Sequence, residues 1–328
     1  MENTKRIVPD LGVGMGLRVP HYAHILEHNP EMAFFEAISE NFLVDGGKPL
    51  YHLDRISEKY PLILHGVSLN IGGADELNED YLKRLKELVR RVKPAWISDH
   101  FCWCGVGGAH LHDLLPLPFT EEVVSLVAER AHRIQDYLEV PFALENTSSY
   151  LDYRHNTMTE WQFVSEVVER AQVGLMFDVN NVYVSAYNHG FDAFDFVRSV
   201  PHERIFQIHM AGHTNRGTHI IDTHGGAPID PVLDLYRTTV ELSGAVSTLL
   251  EWDDEIPGYD TVASEVVRIS QIRDDALRRR AGKSESQRMA TAKALSLIPE
   301  RAGVTLDGHG WVQGGPRESA GADHGVSA

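Results

Sequence analysis

The sequence predicts an α/β protein: a single (β/α)8 barrel, the TIM-barrel architecture, over residues 1–282, with a C-terminal extension over residues 283–328. Two observations carry this expectation. Eight short apolar runs recur along the chain, and amphipathic stretches of helical period lie between them. The runs cover 11–17, 33–42, 62–70, 95–103, 142–148, 173–181, 205–212 and 247–253. Most are near-continuously apolar, as expected for strands of a parallel sheet covered on both faces. A doubly wound open sheet shares this alternation, which alone does not separate the two folds. No Gly-x-Gly-x-x-Gly follows the first run. Gly12, Gly14 and Gly16 lie inside it at period two, a pattern that predicts tight packing and no phosphate loop.

The helical stretches follow in order. Residues 78–92 place Tyr81, Leu82, Leu85, Leu88, Val89 and Val92 on one face. Residues 120–138 open with Thr120, Glu121 and Glu122, a capped start with acid in the first turn. Residues 159–171 and 231–243 behave similarly. Residues 261–280 follow the eighth run and end in Arg278, Arg279 and Arg280, which suit the negative end of a helix dipole. Residues 286–297 predict one further helix, and the polar, Gly-rich residues 303–328 are expected to be partly disordered.

Composition excludes several classes. Asp plus Glu number 47 against 30 Lys plus Arg, a formal charge of −17. A broad basic face for nucleic acid or anionic lipid is therefore not expected. The cysteines are Cys102 and Cys104, so a disulfide framework is excluded and a reducing compartment fits. No apolar run reaches a membrane-spanning length, and the first residues lack the apolar core of a signal peptide. The expected location is the cytoplasm.

The informative anomaly is histidine, with 18 copies. In a (β/α)8 barrel the working residues stand at the C-terminal ends of strands. The third run delivers His65 there, the fourth Asp99 and His100, the fifth Glu145 and Asn146. The sixth delivers Asp178, Asn180 and Asn181, the seventh His209, and the eighth Glu251 and Asp253; Asp222 and His224 lie between the last two. Any one of these has an ordinary explanation as a bonded core histidine, an ion-pair partner or a turn cap. Together they predict a metal site, because buried unpaired charges cost several kcal/mol and a divalent cation is an economical partner. Imidazole with carboxylate suits Zn, Fe or Mn, whereas Ca or Mg prefers all-oxygen sites. Spacing does not choose between hydrolysis and oxygen chemistry. His21, His110, His112 and His213 fall nearest the same face, while His24, His28, His132, His155 and His202 read as surface residues. Cys102 and Cys104 read as buried or rim thiols, with a thiol pair as the alternative.

Ten segments in order carry a resemblance: LGVGMGLRVPHY, FFEAISENFLVDGG, ILHGVSLNIGG, WISDHFCWCGVGG, LHDLLPLP, ALENTSSY, FDVNNVYVSAYNHGFD, QIHMAGH, IDTH and LLEWDDEIP. From about residue 11 to 281 the chain resembles the multinuclear non-heme iron-dependent oxidases, the MNIO family of methanobactin-biosynthesis and thiaglutamate-pathway enzymes. The resemblance implies a TIM barrel holding two to three iron ions in mixed Fe(II)/Fe(III) states, with O2 as co-substrate. It implies oxidation of a residue, often cysteine, in a ribosomally made precursor peptide, usually beside a leader-binding partner protein. A more distant resemblance to the endonuclease IV trinuclear zinc site implies the ligand grouping. His65, His100 and Glu145 would hold one ion; Glu145, Asp178, His209 and Glu251 the second; Asn181, Asp222 and His224 the third. Asn181 departs from the nuclease pattern, which has histidine there. Asp253 would act as a base or as an acceptor behind the ligands. The alternatives are a zinc-dependent hydrolase or isomerase on the same barrel, and a metal-binding or assembly protein without turnover.

Overall fold

The structure, a computed structural model, describes residues 8–300; the segment 303–328 lies outside them. The first four strands are β1 (Val13–Gly16), β2 (Phe35–Ile38), β3 (Leu62–His65) and β4 (Ile97–His100). A hairpin follows, β5 (Cys102–Val106) and β6 (Ala109–Pro116), and then β7 (Phe142–Glu145), β8 (Gly174–Asp178) and β9 (Ile205–Met210). A short pair, β10 (Thr214–Asn215) and β11 (Ile220–Ile221), precedes β12 (Ser247–Leu250). Eight of these strands close into a barrel in the order β1-β12-β9-β8-β7-β4-β3-β2, all neighbours parallel, so the expected architecture is present.

Among the described residues ten α-helices surround it: α1 (Tyr22–His28), α2 (Lys48–Ser57), α3 (Glu79–Val92), α4 (Glu121–Leu138), α5 (Glu160–Ala171), α6 (Val179–His189), α7 (Ala193–Ser199), α8 (Asp230–Ser243), α9 (Tyr259–Ala281) and α10 (Glu285–Lys293). Their starts follow the sequence. Asn78 caps α3, Thr120 caps α4, and Thr159 with Gln162 forms a reciprocal capping box on α5. Each such cap stabilises by about 1 kcal/mol. Helix α6 was not legible as an amphipathic stretch, because Val179 to Tyr187 are all buried and leave no polar face. The fourth apolar run also divides at Phe101, and the glycines that follow it, Gly107 and Gly108, turn the β5–β6 hairpin at positive φ. The packing expected at the first strand is present at Gly14, where a Cβ would sit 2.4 Å from the Phe34 carbonyl.

The barrel interior is layered, and the layers place the site. Phe34, Ile63, Trp96, Ala143, Met176, Phe206 and Leu249 form one apolar cluster. Side chains alternate with period two along a strand. Two residues beyond most of these stand Glu36, His65, Ser98, Glu145, Asp178 and Glu251. The polar layer is therefore the next turn of the same inward-facing pleat. Register then brings His100 beside Glu145 and Asp178 beside His209.

Residues beyond 282 pack back on the barrel helices. Arg198 of α7 donates to the carbonyls of Ala292 (2.9 Å) and Leu295 (2.8 Å), and Leu297 accepts from the Ala193 amide. Lys283 pairs with Glu241 of α8 at 3.0 Å. Charge-assisted hydrogen bonds contribute about 1.5–3 kcal/mol. Arg198→Ala should therefore raise amide exchange across 285–297 by about tenfold or more. Exchange in β3, β7 and β9 should not change. Unaltered protection of α10 would show that Arg198 does not hold it.

Candidate metal centre

Three groups of ligand-type side chains converge at the C-terminal end of the barrel: His65, His100 and Glu145; Glu145, Asp178, His209 and Glu251; and His224, Glu251 and Asp253. Glu145 belongs to the first two groups and Glu251 to the last two. In the first, Nε2 of His65 and Nε2 of His100 lie 3.3 and 3.5 Å from Oε2 of Glu145. The far nitrogens are engaged. Nδ1 of His65 bonds the Ser98 hydroxyl at 2.8 Å, and Nδ1 of His100 bonds the Gly66 carbonyl at 3.1 Å. A carbonyl can only accept, so His100 carries its proton on Nδ1 and presents an Nε2 lone pair to the centre.

His209 is arranged the other way round. Its Nε2 faces Glu36 at 3.2 Å, while Nδ1 faces Glu145 at 3.4 Å and Glu251 at 3.2 Å. Glu36 is itself fixed by a 2.6 Å bond from the Gln207 amide. Asp178 and Asn181 open helix α6: Asp178 Oδ1 accepts from the Asn181 amide at 2.6 Å, leaving Oδ2 free. His224 Nδ1 lies 3.2 Å from Glu251, and its Nε2 lies 3.0 Å from Asp222. Arg18 joins the outer edge, 3.3 Å from Glu251 and in close contact with Asp253.

The unsatisfied atoms show what this arrangement lacks. Buried polar atoms without a partner include Glu145 Oε2, Asp178 Oδ2, Asn181 Oδ1, His209 Nδ1 and His224 Nε2. Buried orphans are rare because each costs about 1–3 kcal/mol. Here five belong to adjoining side chains, and once the two imidazoles are deprotonated all five offer lone pairs to a cation. Charge points the same way. Glu36, Glu145, Asp178 and Glu251 are buried together with Arg18. Burial pushes the Asp178 carboxyl well above its ordinary range, with Glu145 and Asp222 adding to the effect. Burial likewise raises Glu36. Burial opposes charge on Glu251 too, yet His224, His209 and Arg18 together hold it well below the usual carboxylate range. Burial also disfavours protonated His209 and His224, but the surrounding acids outweigh it and raise both well above an ordinary imidazole. The same surplus of buried acid that raises the proton affinity of these groups favours a bound cation. The residues fit a metal cluster.

The structure brings together His65, His100, Glu145, Asp178, His209 and Glu251. His224 lies with Glu251 and Asp253, and its Nε2 is 3.0 Å from Asp222. Asn181 instead turns its amide toward Glu145 (3.5 Å) and the Asn146 carbonyl (3.0 Å). Asp222 is held by the Asn180 amide at 2.9 Å. His213 bonds Asn180 and stacks on Tyr183, and His21 bonds the Pro257 carbonyl, so both are structural. His202, expected at the surface, is partly buried and bonds the Val197 carbonyl. Sequence reasoning passed over Glu36 and Arg18. Glu36 interrupts its apolar run at the second residue of β2 and so lacks the strand-end signal that Glu145 carries. Arg18 lies beyond its strand and folds back over Gly16, where a Cβ would meet its guanidinium at 2.7 Å.

A family described as "RiPP precursor modification enzyme MbnB/TglH/ChrH" matches residues 12–274. The chain belongs to this family. A UPF0276 protein of Anaeromyxobacter sp. (strain Fw109-5) is 47% identical over 277 residues, 84% of this chain and 97% of that protein. Among solved structures, endonuclease IV from Thermus thermophilus superposes with a TM-score of 0.52 at 14% identity, covering 80% of this chain and 99% of that one. IolI protein with a bound zinc atom gives 0.50 at 14%, covering 82% and 99%. At such identity the likeness to these two shows the shared barrel alone. Among the described residues of this MbnB/TglH/ChrH family member, no helix is long and apolar enough to cross a membrane.

The raised proton affinities have a measurable consequence. His209, His224 and Asp178 must shed protons before they can ligate, so metal affinity should rise as pH rises from about 6 to 8. Titration calorimetry with Co(II) in buffers of different ionisation heat should count at least one proton released per chain at neutral pH. Release of none, with affinity flat across this range, would contradict the electrostatic picture.

Proposed function

We propose that this protein uses O2 to oxidise a residue, cysteine foremost, in a ribosomally made precursor peptide, at a centre of two to three iron ions. The observation that carries the reading is the convergence of five orphaned lone-pair atoms at the barrel mouth of a RiPP precursor modification family member. His65, His100, Glu145, Asp178, Asn181, His209, Asp222, His224 and Glu251 are the proposed ligands. The geometry also favours Asp253 as a neighbour of the third position. Iron bound there supplies the redox capacity that the side chains lack.

The chain's own groups do the rest. Glu145 offers one oxygen toward His65 and His100 and the other toward His209, the arrangement a bridging carboxylate needs. Ser98, Gly66 and Glu36 fix the three imidazoles of His65, His100 and His209, so these ligands are oriented in advance. Asp253 stands at the rim with one oxygen on Arg18 and the other 3.4 Å from His224. Burial works against its charge, but hydrogen bonds from His224 and Arg18 hold its pKa low, so it is a weak base at neutral pH. Its stronger role is to orient His224 and to accept a hydrogen bond from the substrate. Recruitment of the peptide falls to a partner protein, as the resemblance to the iron-dependent oxidases implies.

Protein produced with ample iron should carry two to three Fe per chain, and Glu145→Ala should lose at least two of them. With the precursor peptide encoded beside it, the iron protein should consume O2 and change the peptide's mass. Turnover should rise sharply when the adjacent-gene partner is present. Full iron in the Glu145→Ala protein would sink the ligand assignment. Tight zinc with no O2 uptake would favour the hydrolase or isomerase reading.

A further inference from the structure

The carboxylates at the barrel mouth divide their oxygens. Glu145, Asp178, His209 and Glu251 each bring one ligand atom within 4.8 Å of the others. Asp178 has Oδ2 to give, because its Oδ1 accepts from the Asn181 amide at 2.6 Å. Glu145 turns Oε2 toward His65 and His100 and Oε1 toward His209. Glu251 turns Oε2 toward the Nδ1 atoms of His209 and His224, each at 3.2 Å. Its Oε1 faces Arg18 instead, 3.3 Å from one guanidinium nitrogen.

Arg18 is out of place in a site built for cation affinity alone. Its guanidinium is a permanent charge, buried at the edge of a cluster of acids. A fixed positive charge beside a cation site opposes occupancy. The chain nevertheless builds a seat for it. Nε donates to Asp253 in close contact while a second nitrogen reaches Glu251, so the planar fork spans two carboxylates at the exit of β12. A lysine ammonium has no such fork. The seat also depends on Gly16, where a Cβ would lie 2.7 Å from the guanidinium carbon. Gly16 is not among the glycines at positive φ, so the close approach of Arg18, and not the backbone conformation, calls for glycine there.

We propose that Arg18 is a positioning residue that restrains Glu251 to ligation through one oxygen. By holding Oε1, the guanidinium keeps the carboxylate from turning both oxygens onto an ion among Asp178, His209 and Glu251. That ion is left a position the chain does not fill. Catalytic metal sites keep such a position for substrate, whereas structural sites close it. Arg18 thus trades cation affinity for an open position. The inference rests on the ligand set proposed above, Glu251 included, and goes beyond it by giving a role to a side chain that binds no ion.

The test uses the full chain loaded with Co(II) and reads coordination and affinity, not turnover. In crystals of the unsubstituted protein, one Glu251 oxygen should lie about 2.0–2.2 Å from cobalt and the other should stay on Arg18. In Arg18→Met both oxygens should lie on the ion. Titration calorimetry should then find Co(II) bound about tenfold or more tightly, from the added oxygen and the lost repulsion. Gly16→Ala keeps the charge and displaces the far end of the arginine, so it decides the matter should Arg18→Met fail to fold; it too should turn both Glu251 oxygens onto cobalt. Ligation through one Glu251 oxygen persisting in the folded variants would overturn the proposal and leave the ligand set standing. So would two-oxygen ligation in the unsubstituted protein. Cobalt bound away from Glu251 in the unsubstituted protein would overturn the ligand set, and the proposal with it.

Discussion

The carboxylate of Glu145 faces three imidazoles from inside a closed barrel, and the arrangement of the mouth follows from that burial. An acid held there with Glu36, Asp178 and Glu251 cannot be satisfied by the nearby Arg18 guanidinium. The barrel responds in two ways. It draws Arg18 back over Gly16, and it raises the proton affinity of His209 and His224. Neither response satisfies Glu145 Oε2 or Asp178 Oδ2. Metal cations would meet both needs at once, supplying charge and filling the orphaned lone pairs. The layering of the barrel makes this possible. An apolar plug around Trp96 and Phe206 forms the floor, and the next inward-facing position on most strands is polar.

Much of this was legible in the sequence, because strand ends in a (β/α)8 barrel are a fixed geometric address. His65, His100, Glu145, Asp178 and His209 each follow an apolar stretch, and parallel register brings such ends together. The parts that were not legible have physical causes. Helix α6 is buried on every side and so has no amphipathic period. Arg18 reaches the site by a backward fold that depends on the missing Cβ of Gly16. The company kept by His224 is set by a loop. The Asp253 amide donates to the His224 carbonyl at 2.9 Å, tying that loop to the exit of β12 and placing the imidazole by Glu251 and Asp253. Loop geometry of this kind leaves no trace in residue spacing.

The periphery shows how one chain separates chemistries. The β5–β6 hairpin begins two residues after His100, and of its two cysteines Cys104 lines the cavity shared with His110 and Tyr81. On the helical side, Arg198 and Glu241 anchor the segment that follows α9, far in the chain from any proposed ligand. The anchoring of the segment after α9 and the proposed metal centre therefore rest on different residues and can be perturbed one at a time.

The central claim is that Glu145 organises more than one metal ion. Anomalous diffraction at the iron absorption edge, from crystals of iron-loaded protein, tests it most directly. The account predicts at least two anomalous peaks sharing Glu145, one beside His65 and His100 and the other among Asp178, His209 and Glu251. A single peak, or peaks remote from Glu145, would contradict it.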